Sequence, residues 1–284
     1  MQFVKMHGAG NDFIILEDPD ARFSPPMLSD LARALCCSHT GIGADGLMVI
    51  IPAKQGGDFG MLFYNADGSL GEMCGNGARC ICRYGCEHGL AGDTQHIETT
   101  AGLIVGQRID KTRYRVRLND PSVLIPHWVV TISDTEYDCS YLELGCPGLP
   151  HAVLLLDDWE QRDHDNLREL GRALRHAPEF PKGANVSFAR LSGPDVVRAV
   201  TFERGVEDFT LACGTGSGCI AAALTLRGLV SGKNVQISMP GGTLSVSLTA
   251  ENGSIHDLFL TGPACLVCEG TISQELLEGI CTTF

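Results

Sequence analysis

A seven-residue pattern, C-G-x-G-x-x-C, occurs twice: as Cys74-Gly75-Asn76-Gly77-Ala78-Arg79-Cys80 and as Cys213-Gly214-Thr215-Gly216-Ser217-Gly218-Cys219. Positions 74 and 213 stand 139 apart in a chain of 284 residues, close to half its length. Gly89-Leu90 and Gly228-Leu229 close the apolar stretches that follow, again at an offset of 139. Other segments keep the register. Residues 30–35 match 169–174 at 139, Gly43-Ala44-Asp45 matches Gly183-Ala184-Asn185 at 140, residues 14–18 match 154–158 at 140, and residues 97–102 parallel 237–242. The chain is two copies of one unit, each of ordinary domain size.

Apolar spacing predicts the same element order in both copies. A strand (12–16; 151–156) leads to a helix (26–37; 166–176), then to two strands (47–51 and 60–64; 186–189 and 197–202). The glycine turn and a buried helix follow (75–88; 214–227), and alternating strands come later (114–118; 244–248). Ser24 and Asp165 are the expected N-caps of the first helix of each copy. Residues 119–140 have no counterpart and are expected to cross between the domains, while the remainder from 261 to 284 is expected to complete the first sheet. The fold class is α/β with mixed sheets. The domains are 1–118, completed by 264–284, and 119–263.

Composition narrows the function. The 44% hydrophobic content supports a large core, and 19% charged residues with 34 glycines suit compact structure rather than disorder. A net charge of −13 and the lack of any Lys/Arg-rich run argue against a nucleic-acid surface. The first seven residues, MQFVKMH, do not resemble a signal peptide, and no apolar run reaches membrane-spanning length. The expectation is a cytoplasmic protein with no membrane partner. Thirteen cysteines form an odd set without a secretion signal, so a disulfide framework is not expected. Cys265-Leu266-Val267-Cys268 has zinc-knuckle spacing but lacks a second pair, and no metal is expected.

The glycine turns point to chemistry. A Cys-Gly-x-Gly at a helix start lets backbone approach a ligand and aims the first free N–H groups at it, which favours an anion. A thiol there gains thiolate character from the helix terminus. Two such thiols, one per copy, are what inversion of a stereocentre by proton transfer requires: a base on one face and an acid on the other. Cys74 and Cys213 are therefore the candidate catalytic residues. No pyridoxal-binding signal is present, so no cofactor is expected; charge developing on an α-carboxylate would fall to the N–H groups of Gly75, Asn76, Gly214 and Thr215.

Five motifs taken together, Met6-His7-Gly8-Ala9-Gly10-Asn11-Asp12-Phe13, Asn65-Ala66-Asp67-Gly68-Ser69, Glu72-Met73-Cys74-Gly75-Asn76-Gly77-Ala78-Arg79-Cys80, Glu203-Arg204-Gly205 and Ala212-Cys213-Gly214-Thr215-Gly216, resemble the diaminopimelate epimerase family from residue 1 to about residue 265. The resemblance implies two domains, each a curled mixed sheet around a central helix, related by a pseudo-twofold axis. It implies cofactor-independent inversion at an amino-acid α-carbon, LL- to meso-diaminopimelate, and a homodimer. It further implies substrate contacts from Asn11, Asn65 and Asn185, and from Glu203 and Arg204 at the distal amino and carboxylate groups. His151 matches a family position near the site, whereas His7 reads as structural.

Three positions depart from the family. Leu149 stands where an Asn is usual, in Gly145-Cys146-Pro147-Gly148-Leu149-Pro150-His151; Phe209 stands where an acidic residue is usual; and Gly46 stands where some members carry Gln. The changes are expected beside the distal half of the substrate. They leave open a related racemase of another amino acid such as histidine. A non-catalytic amino-acid binder or a lyase-type isomerase on the same fold are alternatives of another class, and an oxidisable Cys74–Cys213 pair is a vulnerability to disulfide formation.

Overall fold

The structure, a computed structural model, describes residues 1–71 and 74–281, the side chains of 279–281 excepted. It comprises two compact units: Met1–Val116 with the stretch from Gly262 onward, and Arg117–Thr261.

In the first unit β1 (Gln2–Gly8) and β2 (Asn11–Glu17) form an antiparallel hairpin, turned at Ala9 and Gly10 with φ of 56° and 87°. Helix α1 (Pro25–Cys36) crosses to β3 (Gly46–Ile51), which lies parallel to β2, and β4 (Phe59–Asn65) runs antiparallel to β3. A short β5 (Leu70–Gly71) pairs with β4. Helix α2 (Gly75–Glu87) precedes β6 (Thr94–Thr99), parallel to β4, and β7 (Gly102–Arg108) and β8 (Arg113–Arg117) follow antiparallel.

The apolar runs of β2 and β3 are buried on both faces because helices cover both. Ile14, Leu16, Leu47 and Val49 pack with Leu28, Leu31 and Leu35 of α1. On the opposite face, Phe13 and Met48 meet α2 at Gly77, where a Cβ would lie 1.7 Å from Met48 Cε. Gly77 is small so that the helix can seat against the sheet. Residues 75–85 of α2 are all buried, and the helix touches β1, β2 and β7. Strands from both ends of the sheet reach one helix, so the sheet curls around it.

In the second unit β9 (Pro121–Ile132), β10 (Thr135–Leu144) and β11 (Leu149–Leu155) are antiparallel neighbours. A 3₁₀ turn (Trp159–Gln161) and α3 (His164–Arg175) lead to β12 (Asn185–Gly193), parallel to β11. Next come β13 (Val196–Glu203), the short β14 (Asp208–Thr210) and α4 (Gly214–Leu226), which is apolar all round and almost wholly buried. β15 (Val235–Met239) pairs parallel with β13, and β16 (Gly242–Glu251) and β17 (Ser254–Pro263) close the unit antiparallel. The chain then returns to the first unit, where β18 (Cys265–Thr271) lies antiparallel to β1 and α5 (Gln274–Cys281) rests on α1.

The order of pairing is the same in both units: β18-β1-β2-β3-β4-β6-β7 corresponds to β9-β10-β11-β12-β13-β15-β16. This corrects the expectation that residues 119–140 lack a counterpart and form a crossing. They build β9 and the start of β10, whose counterparts are β18 and β1. The match is hidden in the sequence because the first unit takes its outer strand from the far end of the chain. A second correction concerns α3: its N-cap is Asp163, whose carboxylate accepts from the N–H groups of Asp165 and Asn166, so the helix opens two residues before the expected start. No helix among the described residues is long and apolar enough to cross a membrane. No group of three or more His, Cys, Asp or Glu among them is arranged to hold a metal ion.

Candidate active site

Cys74 is the N-cap of α2, with extended backbone (φ −125°, ψ 117°). The first N–H groups of a helix have no carbonyl partner within it, so the turn opened by buried Gly75 and Asn76 presents donors beside the thiol. The half-buried Cys74 thiol donates to Asn11 Oδ1 at 3.3 Å, and Asn76 Nδ2 donates to the same oxygen at 3.3 Å. Asn11 in turn donates from Nδ2 to Asp45 Oδ2 at 2.6 Å. That carboxylate also accepts from Asp12 N–H at 3.0 Å, and Lys5 Nζ stands 2.9 Å from Asp12 Oδ2. Arg79, fully buried, holds the far end: Nη2 donates to Asn76 Oδ1 at 2.9 Å and Nη1 to Gly75 O at 3.1 Å.

Asn11, Cys74, Gly75 and Asn76 thus form one hydrogen-bonded cluster. Asn65 is held elsewhere: its Nδ2 donates to Ser69 Oγ at 2.9 Å within the turn that closes β4 and β5. His7 accepts from Gly10 N–H at 3.2 Å and braces the β1–β2 turn, a structural role.

Cys213 is the N-cap of α4, also extended (φ −113°, ψ 112°), and is buried. Its Sγ accepts from Gly216 N–H at 3.3 Å and lies 3.6 Å from Thr215 Oγ1. Gly216 sits close beneath it, since a Cβ there would stand 3.1 Å from Sγ. Buried Gly214 and half-buried Thr215 begin the helix. Burial pushes the Cys213 thiol well above its ordinary value of 9.0, the Glu203 carboxylate adds to this, and the bonds from Thr215 and Gly216 oppose it. The donors of the helix start do favour the Cys213 thiolate, but they do not prevail. Loss of water outweighs two weak donors.

Glu203 ends β13, where Thr210 Oγ1 donates to its Oε1 at 2.6 Å. Arg204 follows in the turn: its N–H donates to Asn185 Oδ1 at 2.8 Å and its Nη1 to Lys182 O at 3.1 Å. Asn185, buried, spends its other amide end on Pro150 O at 3.2 Å, so its side chain ties the starts of β11 and β12 to the turn after β13. Lys182 pairs with buried Glu143 at 2.7 Å, which also accepts from Tyr141 OH at 2.8 Å. His151 is fully buried, and neither ring nitrogen has a hydrogen-bond partner among the described residues. Burial first, and then the Arg204 charge, lowers its pKa to about 3, so it is neutral.

Gly46 stands opposite Asn65 in the β3–β4 pairing, and Phe209 precedes Thr210, which bonds Glu203. Phe209 is half-buried and packs against the core, where its ring meets Phe188, Phe202 and His164 edge-on. At Gly46 a Cβ would fall 2.6 Å from Phe63 Cε2, so the Phe63 ring leaves no room for a longer side chain. Leu149 is half-buried at the start of β11, paired with Leu144. Asp45, Arg79, Glu143 and Lys182 were not singled out as site residues. Asp45 and Arg79 carried a signal, one inside a repeated segment and the other inside the glycine motif; Glu143 and Lys182 are joined only by folding.

A family model described as diaminopimelate epimerase matches residues 3–123 and 146–267. The chain is 38% identical to the diaminopimelate epimerase of Aquifex aeolicus, over 98% of this chain and 100% of that protein. It is 36% identical to the diaminopimelate epimerase of Methanothrix thermoacetophila, over 98% of each. Its fold is similar to that of a hydroxyproline epimerase from Agrobacterium vitis, with a TM-score of 0.69 at 20% identity over 95% of this chain and 91% of that one. Read with the two thiol-capped helices of its repeated units, these likenesses make the chain a member of the diaminopimelate epimerase family and an isomerase.

Proposed function

We propose that the protein inverts an amino-acid α-carbon without a pyridoxal cofactor, using Cys74 and Cys213 as a thiol/thiolate pair, and that its substrate is diaminopimelate in the LL and meso forms. The observation that carries this reading is that each of two repeated units places a cysteine at the N-cap of its buried central helix. The relatives' names supply the substrate. The step belongs to lysine and peptidoglycan-precursor biosynthesis, in the cytoplasm, by a homodimer.

In this reading one sulfur, as thiolate, takes the α-proton, and the C–H electron pair moves into the carboxylate. The other sulfur, as thiol, returns a proton to the opposite face and ends as thiolate, so protons balance and the roles exchange in reverse. The N–H groups of Gly75, Asn76, Gly214 and Thr215 stabilise the oxyanion, an effect worth about 3 kcal/mol per donor in comparable sites. Asn11, Asn65 and Asn185 contact or frame the substrate, Glu203 takes the distal ammonium, and Arg204 takes the distal carboxylate. The histidine alternative rests on Leu149 and Phe209, both half-buried.

The test is Cα exchange followed by NMR in D₂O under reducing conditions, with LL-diaminopimelate and L-histidine side by side. The expected result is deuterium at Cα with formation of the meso form, lost by on the order of 10²–10⁴-fold in Cys74→Ser and in Cys213→Ser. Exchange on histidine alone makes the chain a histidine racemase. Amino-acid binding that survives both substitutions, without exchange in the unaltered protein, makes it a binder.

A further inference from the structure

We propose that Asp45 is a positioning residue: its carboxylate locks the Asn11 amide so that Oδ1, and not Nδ2, faces the Cys74 thiol. The inference rests on Cys74 being one of the two proton-transfer groups. Amide oxygen and nitrogen have nearly the same shape, so the hydrogen-bond network decides which way an Asn points. Here the network is over-determined. An ionised carboxylate only accepts, and Asp45 Oδ2 therefore draws Asn11 Nδ2 to 2.6 Å. From the other side Asn76 Nδ2 donates to Asn11 Oδ1, and Asn76 cannot turn because Arg79 Nη2 already donates to its oxygen. Asp45 is itself fixed, since its Oδ2 accepts from Asp12 N–H and its own N–H donates to Asp12 Oδ1, both at 3.0 Å.

The orientation has a chemical consequence. An amide oxygen 3.3 Å from Sγ accepts from S–H and favours the thiol, whereas a flipped amide would donate to the thiolate. Asp45 thereby biases the Cys74 protonation state through Asn11. Arg79 and Cys80 on α2 also act electrostatically on Cys74, and on the hairpin Lys5 pairs with Asp12 beside Asp45.

Asp45→Asn keeps the side-chain shape but lets position 45 donate as well as accept, which removes the stronger of the two holds on the Asn11 amide and leaves only the longer bond from Asn76 against its turning. The readout is the rate of Cys74 alkylation by iodoacetamide against pH, resolved by peptide mass spectrometry, with far-UV circular dichroism confirming the fold. The midpoint is expected to fall by about one unit, making alkylation below it about tenfold faster. In an Asn11→Ala background the same substitution is expected to change the rate by less than about twofold, because the link is already cut. Asp45→Glu, still acceptor-only, is expected to keep the unaltered profile. A tenfold change that persists without Asn11 would show a field effect of the charge and overturn the proposal. So would an unchanged rate in Asp45→Asn, or an Asp45→Glu profile like that of Asp45→Asn. Should Asp45→Asn not fold, Asp45→Ser, whose hydroxyl also donates and accepts, takes its place with the same expected outcomes. The measurement needs no turnover, so a protein without Cα exchange would sink the epimerase reading while leaving this link measurable.

Discussion

The Cys213 thiol is under two opposed influences, burial with the neighbouring Glu203 charge on one side and the donors of the helix start on the other. The first prevails, so the thiol is neutral near pH 7 and its deprotonation must be driven by alkaline pH or by a change in surroundings when substrate binds. In Glu203→Gln the repulsive charge is gone and the Cys213 pKa falls. At pH 8, in a Cys74→Ser background, the Cys213 peptide is then expected to alkylate several-fold faster; a slower rate would place Glu203 as a donor-side stabiliser of the thiolate instead. The residue scale is also where the sequence was least legible. That Phe209 is near the acidic turn can be read from chain order, but that its ring packs against Phe202 follows from the pairing of β14 with β13. Asn185 and Arg204 are 19 positions apart, and only the sheet joins them.

At the scale of elements, the central helices and their caps make separate demands. Gly77→Ala puts a methyl group into Met48 at the α2–β3 contact and is expected to cost about 1–3 kcal/mol by overpacking, measured by urea unfolding. Its effect should shrink when combined with Met48→Ala, which clears the collision. Asp163→Ala removes the α3 N-cap and is expected to cost about 1 kcal/mol with no change in the urea m-value. The strands and helices themselves were largely legible, because runs such as those of β2 and β3 are apolar enough to announce burial on both faces. Their ends were less so. The start of α3 was misplaced because Asp163 and Asp165 are both good caps by composition, and only backbone geometry distinguishes them.

For the whole molecule, the buried thiols set an alkaline limit. Burial raises Cys36, Cys80 and Cys139 to about 12, and raises Cys82, Cys213 and Cys219 as well, from an ordinary 9.0. The folded state keeps these protons while the unfolded chain gives them up, so stability is intact below about pH 9 and falls as pH rises from there toward 12. Each thiol contributes a loss of up to about 1.4 kcal/mol per pH unit, and the melting temperature should drop steeply between pH 9 and 10 under reducing conditions. A flat profile there would mean that the thiols ionise without unfolding. The sequence by itself determined the duplication, the mixed α/β class, the two thiol-bearing helix starts and the family, because each is written in local spacing or in motifs that recur at one offset. Tertiary structure alone decided that residues 119–140 build β9 and the start of β10, that Asn11 faces the Cys74 thiol under the hold of Asp45, and that Cys213 is a neutral buried thiol. Those outcomes depend on which distant groups meet and how much water they lose, and neither quantity is carried by the order of residues along the chain.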